Sequence, residues 1–185
     1  YRDSRGWVWV GTRSGGLIKF QADTVAQVFN IHSGFATNYI LSIEEDSNGI
    51  IWVGTNGGGL HSINESGQIQ IYNPFKEDAS GILIFNIHVD SNEILWLATN
   101  IGLFHFNKEN FTQLELISNS QNDTFFDIVL DDIGNMWVTS HIGLFKIILS
   151  DVRAYLNGNT EQIPTTLYDH NDGMNNKECT GATRS

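Results

Sequence analysis

The sequence predicts an all-β chain, a β-propeller fragment of about four four-stranded antiparallel blades, and three observations lead to this prediction. One segment occurs four times, at residues 3–17, 46–60, 90–103 and 131–144. The tryptophans of these copies are 43, 44 and 41 residues apart, and they are Trp9, Trp52, Trp96 and Trp137. A period of this length is typical of propeller blades. Each period also holds four strand-like runs, which leaves no room for a helix.

Each copy of the repeat begins with a tight turn between two strands. In the Asp-Ser-Asn-Gly of residues 46–49, the aspartate can bond the backbone two residues on, and the glycine tolerates a positive φ. An apolar run at residues 39–43 precedes the turn and the tryptophan strand follows it, as in a β-hairpin. A third strand begins at Leu60, and a more polar fourth strand follows at residues 68–72.

The residues around each tryptophan predict how the blades pack. Successive side chains of a strand point to opposite faces, so Trp52 and Val53 make both faces of their sheet apolar. We therefore expect neighbouring sheets to cover both faces. The residue two positions after each tryptophan is small, which would let the adjacent sheet approach beside the indole; these residues are Gly11, Gly54, Ala98 and Thr139. The four tryptophans are predicted to be the structural core of the repeat, while Trp7 lies outside the repeated column and should be more exposed.

The repeated pattern Asp-x-x-Gly-x-x-Trp-Val-Gly-Thr-x-x-Gly-Gly-Leu closely resembles the two-component regulator propeller repeat. Residues 32–38 and 171–178 also resemble that family's Gly-Leu-x-x-Asn segment. In this family the repeats form the extracytoplasmic sensor region of bacterial hybrid or membrane-bound sensor histidine kinases. The resemblance covers residues 1–185, so it implies one partial β-propeller sensor domain in the periplasmic part of an inner-membrane protein. The sequence departs from the pattern at Glu93, Ala98, Thr139 and Ser140.

Length, charge and cysteine content exclude several classes of function. The chain has 185 residues, whereas the seven-bladed ring usual in the family needs ~300 at this period. No stretch approaches the ~20 apolar residues of a membrane span, so this fragment is not expected to be membrane-embedded. A net charge of −11 and the absence of any basic run argue against nucleic acid as a partner. The single cysteine, Cys179, cannot form an internal disulfide, and its role stays open.

One column of polar residues makes up the candidate ligand-binding site. These residues follow the tryptophan strand in each copy and are Arg13, Asn56, Asn100 and His141. In the related family such loops gather on one face, together with the loops that lead to each next inner strand. Two interpretations stay open. The side chains either satisfy loop backbone near the central channel, or they form a polar rim for a sugar-like or small anionic ligand.

No catalytic residue, metal ligand or cofactor is predicted. Glu44 and Glu45 point to opposite faces of their strand, which disfavours joint acid–base chemistry. The segment that begins at Asp46 has part of a calcium-loop pattern, but Gly57 stands where the bidentate glutamate would be. The six histidines are scattered, and none forms a pair at metal-ligand spacing.

The leading functional prediction is a non-enzymatic signal-recognition propeller of a two-component sensor histidine kinase. The resemblance implies binding of an oligosaccharide, another small extracellular ligand or a partner, coupled to signal transduction. The alternatives are a propeller-type carbohydrate-active enzyme or lyase, which would need convergent acid, base or metal residues, and a protein-interaction scaffold.

The two ends of the chain predict association. Residues 1–30 supply three strands of a blade whose innermost strand is missing, and residues 177–184 stand where a further inner strand belongs. The latter could pair beside residues 7–12, so the ring could close within one chain or between chains, or stay an open arc. Because unpaired edges invite association, we expect a homodimer or a higher assembly. A short helical turn at residues 152–156 and an outer strand at 165–168 are also predicted.

Overall fold

A computed structural model describes residues 1–22, 24–73, 81–117, 124–176 and residue 179. The strands in these ranges are β1 (Val8–Gly11), β2 (Leu17–Gln21), β3 (Thr24–Phe29), β4 (Ile40–Glu45), β5 (Ile51–Thr55), β6 (Leu60–Ile63), β7 (Ile69–Tyr72), β8 (Ile84–Val89), β9 (Leu95–Thr99), β10 (Gly102–Phe106), β11 (Phe111–Gln113), β12 (Phe125–Leu130), β13 (Asn135–Ser140), β14 (Leu144–Ile148) and β15 (Thr165–Tyr168). The α-helix α1 spans Leu149–Leu156, and two short 3-10 helices span Ile31–Ser33 and His170–Asp172.

The strands form four antiparallel sheets, which confirms the all-β prediction. The first sheet has the order β1-β2-β3, the second β4-β5-β6-β7, the third β11-β10-β9-β8 and the fourth β12-β13-β14-β15. The first therefore has three strands, as predicted for residues 1–30, and the others have four. The predicted helical turn lies within α1, and the predicted outer strand coincides with β15.

The sequence also predicts an inner strand at residues 82–85 and an outer strand at 111–116 in the third sheet. Both strands differ from these bounds, and in both cases a pairing outside the sheet is the reason. The inner strand β8 begins at Ile84 and not at Ile82, because the Ile82 carbonyl accepts the Gly57 N–H and Leu83 bridges Asn56. The outer strand β11 ends at Gln113 and not at Leu116, because Leu116 bridges Ile163 in a parallel arrangement.

The chain divides into two compact units, residues 1–94 and 95–185, and each is described by itself. That residues 1–185 form one domain stays a prediction. The first unit holds the first two sheets and β8. In its core, Trp9, Leu17 and Phe29 of the first sheet form one buried cluster with residues of the second sheet that include Val53 and Ile63. We call the side of a sheet that carries its tryptophan the indole face, and the opposite side the valine face. The indole face of the first sheet thus packs on the valine face of the second.

Two glycines allow this close packing in the first unit. A Cβ atom added to Gly11 would lie 2.7 Å from Cγ2 of Ile40, which opens the inner strand of the second sheet. A Cβ atom added to Gly54 would overlap the Ser42 hydroxyl and lie 2.8 Å from the carbonyl oxygen of Ile84. In the first unit the next inner strand therefore comes into close contact with the glycine two positions after the tryptophan.

The first sheet contradicts the prediction that both of its faces are covered. Val8 and Val10 of its valine face are 39% and 40% exposed, because none of the described residues packs a sheet against them. Its inner edge is also not fully open, since the Tyr1 carbonyl accepts the Trp9 N–H at 2.8 Å. Trp7 is half-buried beside the cluster. Apart from Cys179, the residues predicted to close a ring, 177–184, lie outside the described part of the chain.

The second unit also buries the apolar side chains of its strands. Trp96 is 6% exposed, and Leu95, Leu97 and Ala98 of the same strand are also buried. In the fourth sheet Phe125 and Phe145 meet edge to face, with ring centroids 5.3 Å apart. Trp137 was predicted to be buried in the core, but it is only half-buried. Within the ranges that can be described, no helix has the length and apolar character needed to cross a membrane.

Candidate functional site

The aspartate that opens the turn of a repeat also holds the tryptophan of the following strand by a hydrogen bond. Oδ1 of Asp46 accepts the N–H groups of Asn48 and Ile50, both at 3.0 Å. Its Oδ2 accepts the indole N–H of Trp52, also at 3.0 Å. The same indole bond joins Asp3 to Trp9 and Asp131 to Trp137, each at 2.9 Å. One carboxylate therefore fixes both the turn and the indole, and the role of these aspartates is structural.

The first of these turns also connects two sheets. Glu45 accepts hydrogen bonds from the N–H and the hydroxyl of Ser4, at 2.6 and 2.8 Å. The Arg5 guanidinium donates to the Gly49 carbonyl at 3.0 Å and lies 3.9 Å from Glu45. The hydroxyl of Tyr1 contacts Glu44, and burial together with that carboxylate raises the pKa of Tyr1 to about 12. Glu44 and Glu45 are thus held in structural contacts at the end of β4, whereas the candidate residue Asn56 is bonded to Tyr39, just before the start of that strand.

In each loop that carries a candidate residue, a Thr or Ser hydroxyl bonds to a glycine carbonyl across the turn. We call this hydroxyl-bearing residue the clamp. The hydroxyl of Thr55 donates to the Gly59 carbonyl at 2.7 Å and accepts the Gly58 N–H at 3.1 Å. Thr12, Thr99 and Ser140 donate to the carbonyls of Gly16, Gly102 and Gly143 in the same way. Every candidate residue is the one directly after this clamp. Each loop therefore presents one side chain directly after the clamp, in a turn that reaches the accepting glycine after four residues in the first unit and after three in the second.

In the first unit, two of the candidates meet at Tyr39, which sequence reasoning did not select. Arg13 is exposed, and its guanidinium carbon lies 5.8 Å from the centroid of the Tyr39 ring. The N–H of Asn56 donates to the Tyr39 carbonyl at 3.0 Å. Tyr39 stands directly before β4, where the chain passes from one sheet to the next. Its place before a strand was the only signal in the sequence, and that signal does not reveal its two partners.

In the second unit, the other two candidates have different surroundings. The Asn100 carbonyl accepts the Thr124 hydroxyl at 3.2 Å, and the side chain of Asn100 is half-buried. His141 is exposed between the clamp residue Ser140 and Ile142. Among the loops that lead to the next inner strand, the sequence predicts residues 73–81 and 118–124 on the same face as the candidates. The first is described only at Asn73 and Gly81, and the second only at Thr124.

The loop that leads into the second sheet is anchored by a buried histidine. Asn30 caps the 3-10 helix Ile31–Ser33 with a reciprocal pair of bonds, and Gly34 ends it with a φ of 109°. Nε2 of His61 then accepts the Ala36 N–H at 3.0 Å, and its ring stacks on Phe35 at 4.4 Å. Burial lowers the pKa of His61 to about 4, although the Gly59 backbone opposes this. A neutral His61 therefore holds the loop that ends at Tyr39.

The chemistry available at these loops is hydrogen bonding. The exposed guanidinium of Arg13, the amide of Asn56 and the ring of Tyr39 offer donors and an aromatic face. Among the residues the structure describes, no three His, Cys, Asp or Glu side chains come together as metal ligands. The exposed Arg13 guanidinium can donate hydrogen bonds to a polar molecule.

Comparison with known proteins confirms the resemblance predicted from the repeat. Residues 34–57 match the two-component regulator propeller family. The structure is similar to the extracellular domain of a hybrid two component system from B. thetaiotaomicron, with a TM-score of 0.78 and 23% identity over 98% of this chain. It is also similar to the extracellular domain of a one component system from B. thetaiotaomicron, with a TM-score of 0.71 and 21% identity over 92% of this chain.

These structures establish the fold, that of a β-propeller fragment. The chain covers only 24% and 22% of those two chains, so it spans about a quarter of their length. A third similar structure is virginiamycin B lyase from Staphylococcus aureus, with a TM-score of 0.64 and 18% identity. That match covers 81% of this chain and 51% of the lyase. Among curated proteins, none matches the chain in sequence.

Proposed function

We propose that this chain, built of two-component regulator propeller repeats, is a non-enzymatic signal-recognition part of an extracytoplasmic sensor. The observation that carries the proposal is the repeated clamped turn, which presents Arg13, Asn56, Asn100 and His141 from equivalent positions. A scaffold that holds polar side chains in fixed turns is suited to binding, because little conformational entropy is lost when a ligand arrives. The similarity in fold to extracellular domains of sensor systems supports the same conclusion.

The ligand class that fits this surface is an oligosaccharide or another small polar extracellular molecule. A guanidinium and amides donate hydrogen bonds to hydroxyl and carboxylate oxygens, and an aromatic ring offers an apolar face. In the first unit the Arg13 guanidinium lies beside the Tyr39 ring, and the backbone of Asn56 is bonded to the backbone of Tyr39. Binding would shift an equilibrium between two arrangements of the sensor and thereby reach a histidine kinase across the inner membrane.

The carboxylates support a non-enzymatic role. Asp46 accepts three donors within its own turn, and Glu45 is engaged by Ser4 and Arg5. Neither is placed to exchange protons with a substrate beside Arg13 and Asn56. The similarity to virginiamycin B lyase makes a lyase the second candidate, and a protein-interaction scaffold is the third.

The test is a thermal-shift and calorimetric screen of the chain against neutral and acidic oligosaccharides. We expect at least one to bind, and we expect Arg13→Ala and Asn56→Ala to weaken binding by about tenfold each, since each removes one or two hydrogen bonds to the ligand. Glu65→Ala is the matched control, because Glu65 is highly exposed in the β6–β7 turn and should not change the affinity. Absence of binding by any sugar would favour the scaffold, and cleavage of a sugar would favour the lyase.

A further inference from the structure

His61 is a buried titratable residue at a strand position that is apolar in the other three sheets. It stands opposite Val53 on the valine face of the second sheet, and it is 0% exposed. The residues at the equivalent position of the first, third and fourth sheets are Ile18, Phe104 and Phe145. Because an apolar side chain serves the packing in those sheets, the imidazole is expected to do something that packing alone does not require.

The backbone that His61 holds belongs to the loop that joins β3 to β4, which we call the entry loop and which spans residues 30–39. Its beginning is fixed by the capped 3-10 helix. Its end is fixed by the Tyr39 carbonyl, which accepts a backbone N–H of the β5–β6 turn at 3.0 Å. Between these two fixed ends, the bond from the Ala36 N–H to Nε2 of His61 is the hydrogen bond that, within the described chain, ties residues 34–37 to the second sheet.

The bond to Ala36 requires a neutral imidazole. Nε2 accepts the Ala36 N–H at 3.0 Å, so the proton of the neutral ring is on Nδ1. Nδ1 is buried and has no hydrogen-bond partner among the residues that the structure describes. A proton added to Nε2 turns the acceptor into a donor that faces the Ala36 donor, and it places a positive charge in the interior. The bond is then lost, and the charged ring is left without an acceptor.

The surroundings of the imidazole are apolar on every side that the structure describes. Val53 and Ile71 stand on either side of His61 in the sheet, and Phe35 of the entry loop stacks on its ring. The charged or titratable side chains of the elements packed on it are directed to solvent, to each other or to the tryptophans; they are Arg13, Lys19, His32 and Tyr39. Burial therefore dominates and lowers the pKa of His61 to about 4, although the Gly59 backbone opposes this.

We infer that His61 is an acid-sensitive switch of the entry loop: a proton on Nε2 releases residues 34–37 from the second sheet and frees Tyr39 from its place beside Arg13. Phe35, which covers the ring, belongs to the released segment, so the charged imidazole reaches water while β6 stays paired. The importance of this movement for recognition rests on the proposed function, because Arg13 is a candidate ligand-binding residue. The movement itself does not depend on a ligand.

The experiment is amide hydrogen exchange of the chain, followed by NMR at pH 7 and at pH 5 and corrected for the intrinsic exchange rate. The released ring has the ordinary pKa of 6.5 and the buried ring a pKa of about 4, so the opening that exposes the Ala36 N–H should be about 20-fold more populated at pH 5. The amides of β5, which is paired on both sides, should exchange more slowly than Ala36 at both pH values. Circular dichroism at pH 5 checks that the sheets are retained.

His61→Gln is the informative variant, because its amide oxygen can accept the Ala36 N–H but does not titrate, so Ala36 opening should become nearly independent of pH. His61→Phe, which also does not titrate, replaces it if the glutamine variant unfolds. His32→Gln is the matched control, since His32 is an exposed histidine of the same loop and its replacement should leave the pH dependence unchanged.

Three results would each overturn the inference: Ala36 opening that is independent of pH in the unmodified chain, opening in His61→Gln that still rises in acid, or exchange of Ala36 no faster than that of β5. Because no ligand is used, these results are separate from the oligosaccharide screen. A screen without binding would count against the proposed function and would leave the switch as measured.

Discussion

At the scale of single residues, the aspartate of the repeat has two tasks that its position in a turn does not reveal. The sequence predicts that Asp46 bonds the backbone of its own turn, and the structure shows these bonds. The bond from Asp46 to the Trp52 indole was missed, although the six-residue spacing from aspartate to tryptophan is the same in all four copies. Both ends of this bond are nearly buried, so its loss leaves a desolvated donor.

Asp46→Ala should therefore lower the free energy of unfolding by about 2–4 kcal/mol, because three donors lose a charged acceptor and the Trp52 N–H stays buried. Urea unfolding followed by tryptophan fluorescence measures the change. Asp132→Ala is the control; Asp132 is exposed, and its replacement should cost less than about 0.5 kcal/mol. If Trp52→Phe already removes the bond, the double variant should be less destabilised than the sum of the two single ones. Full additivity would contradict a bond between these two residues.

At the scale of secondary structure elements, the glycine two positions after the tryptophan determines how closely the next sheet approaches in the first unit. The strand β5 can lie against β8 because Gly54 has no side chain at the point of contact. The valine and indole faces on either side of that point provide the apolar area. Even a methyl group at this position would overlap the Ser42 hydroxyl and lie too close to the side chain and the carbonyl oxygen of Ile84.

Gly54→Ala should destabilise the chain by about 1–3 kcal/mol, because the new methyl overlaps Ser42 and the Ile84 carbonyl and forces β8 away. Gly81→Ala is the matched control, since a Cβ atom there has no neighbour within 4 Å among the residues that the structure describes. Urea unfolding compares the two. A Gly54→Ala variant as stable as the Gly81→Ala variant would show that β8 moves without cost. Restored stability in the double variant Gly54→Ala with Ser42→Gly would show that the Ser42 hydroxyl, more than the backbone, causes the overlap.

The sequence predicted most elements well, because their signals are local. The strand β15 has the predicted bounds, and the candidate residues Arg13, Asn56, Asn100 and His141 do occupy equivalent turns. The ends of β8 and β11 were misplaced because they depend on bridges to residues far along the chain. Tyr39 was missed for the same reason. Contacts between sheets follow from packing, and a single strand's pattern of side chains does not encode them.

At the scale of the whole molecule, burial of a face depends on which sheets surround it, and composition alone does not report that. The valine faces of the first and second sheets look alike in sequence, yet one is open and one is closed. The net charge of −11 acts on the same scale, since it opposes contact between copies at low ionic strength.

Stability against pH is the remaining property of the whole chain that the structure predicts. Burial against Phe35 lowers the pKa of His61 from 6.5 to about 4, so the folded chain favours the neutral ring. The unfolded chain takes up a proton near pH 6.5 and the folded chain does so only near pH 4. The contribution of His61 to stability is thus complete above about pH 6.5, is lost progressively as the pH falls towards 4, and changes no further below that value. The loss should total roughly 3 kcal/mol.

Urea unfolding at pH 7 and at pH 4.5 measures this slope, and His61→Phe is the informative variant. A phenyl ring keeps the stack on Phe35 but cannot titrate, so the variant should lose much less stability than the unmodified chain between these two pH values. It should be less stable at pH 7, because the Ala36 N–H loses its acceptor. His141→Phe serves as the control, since His141 is exposed and its replacement should leave the slope unchanged. An equal slope in His61→Phe and in the unmodified chain would mean that other groups govern the acid response and that the loop before Tyr39 is not held by a neutral His61.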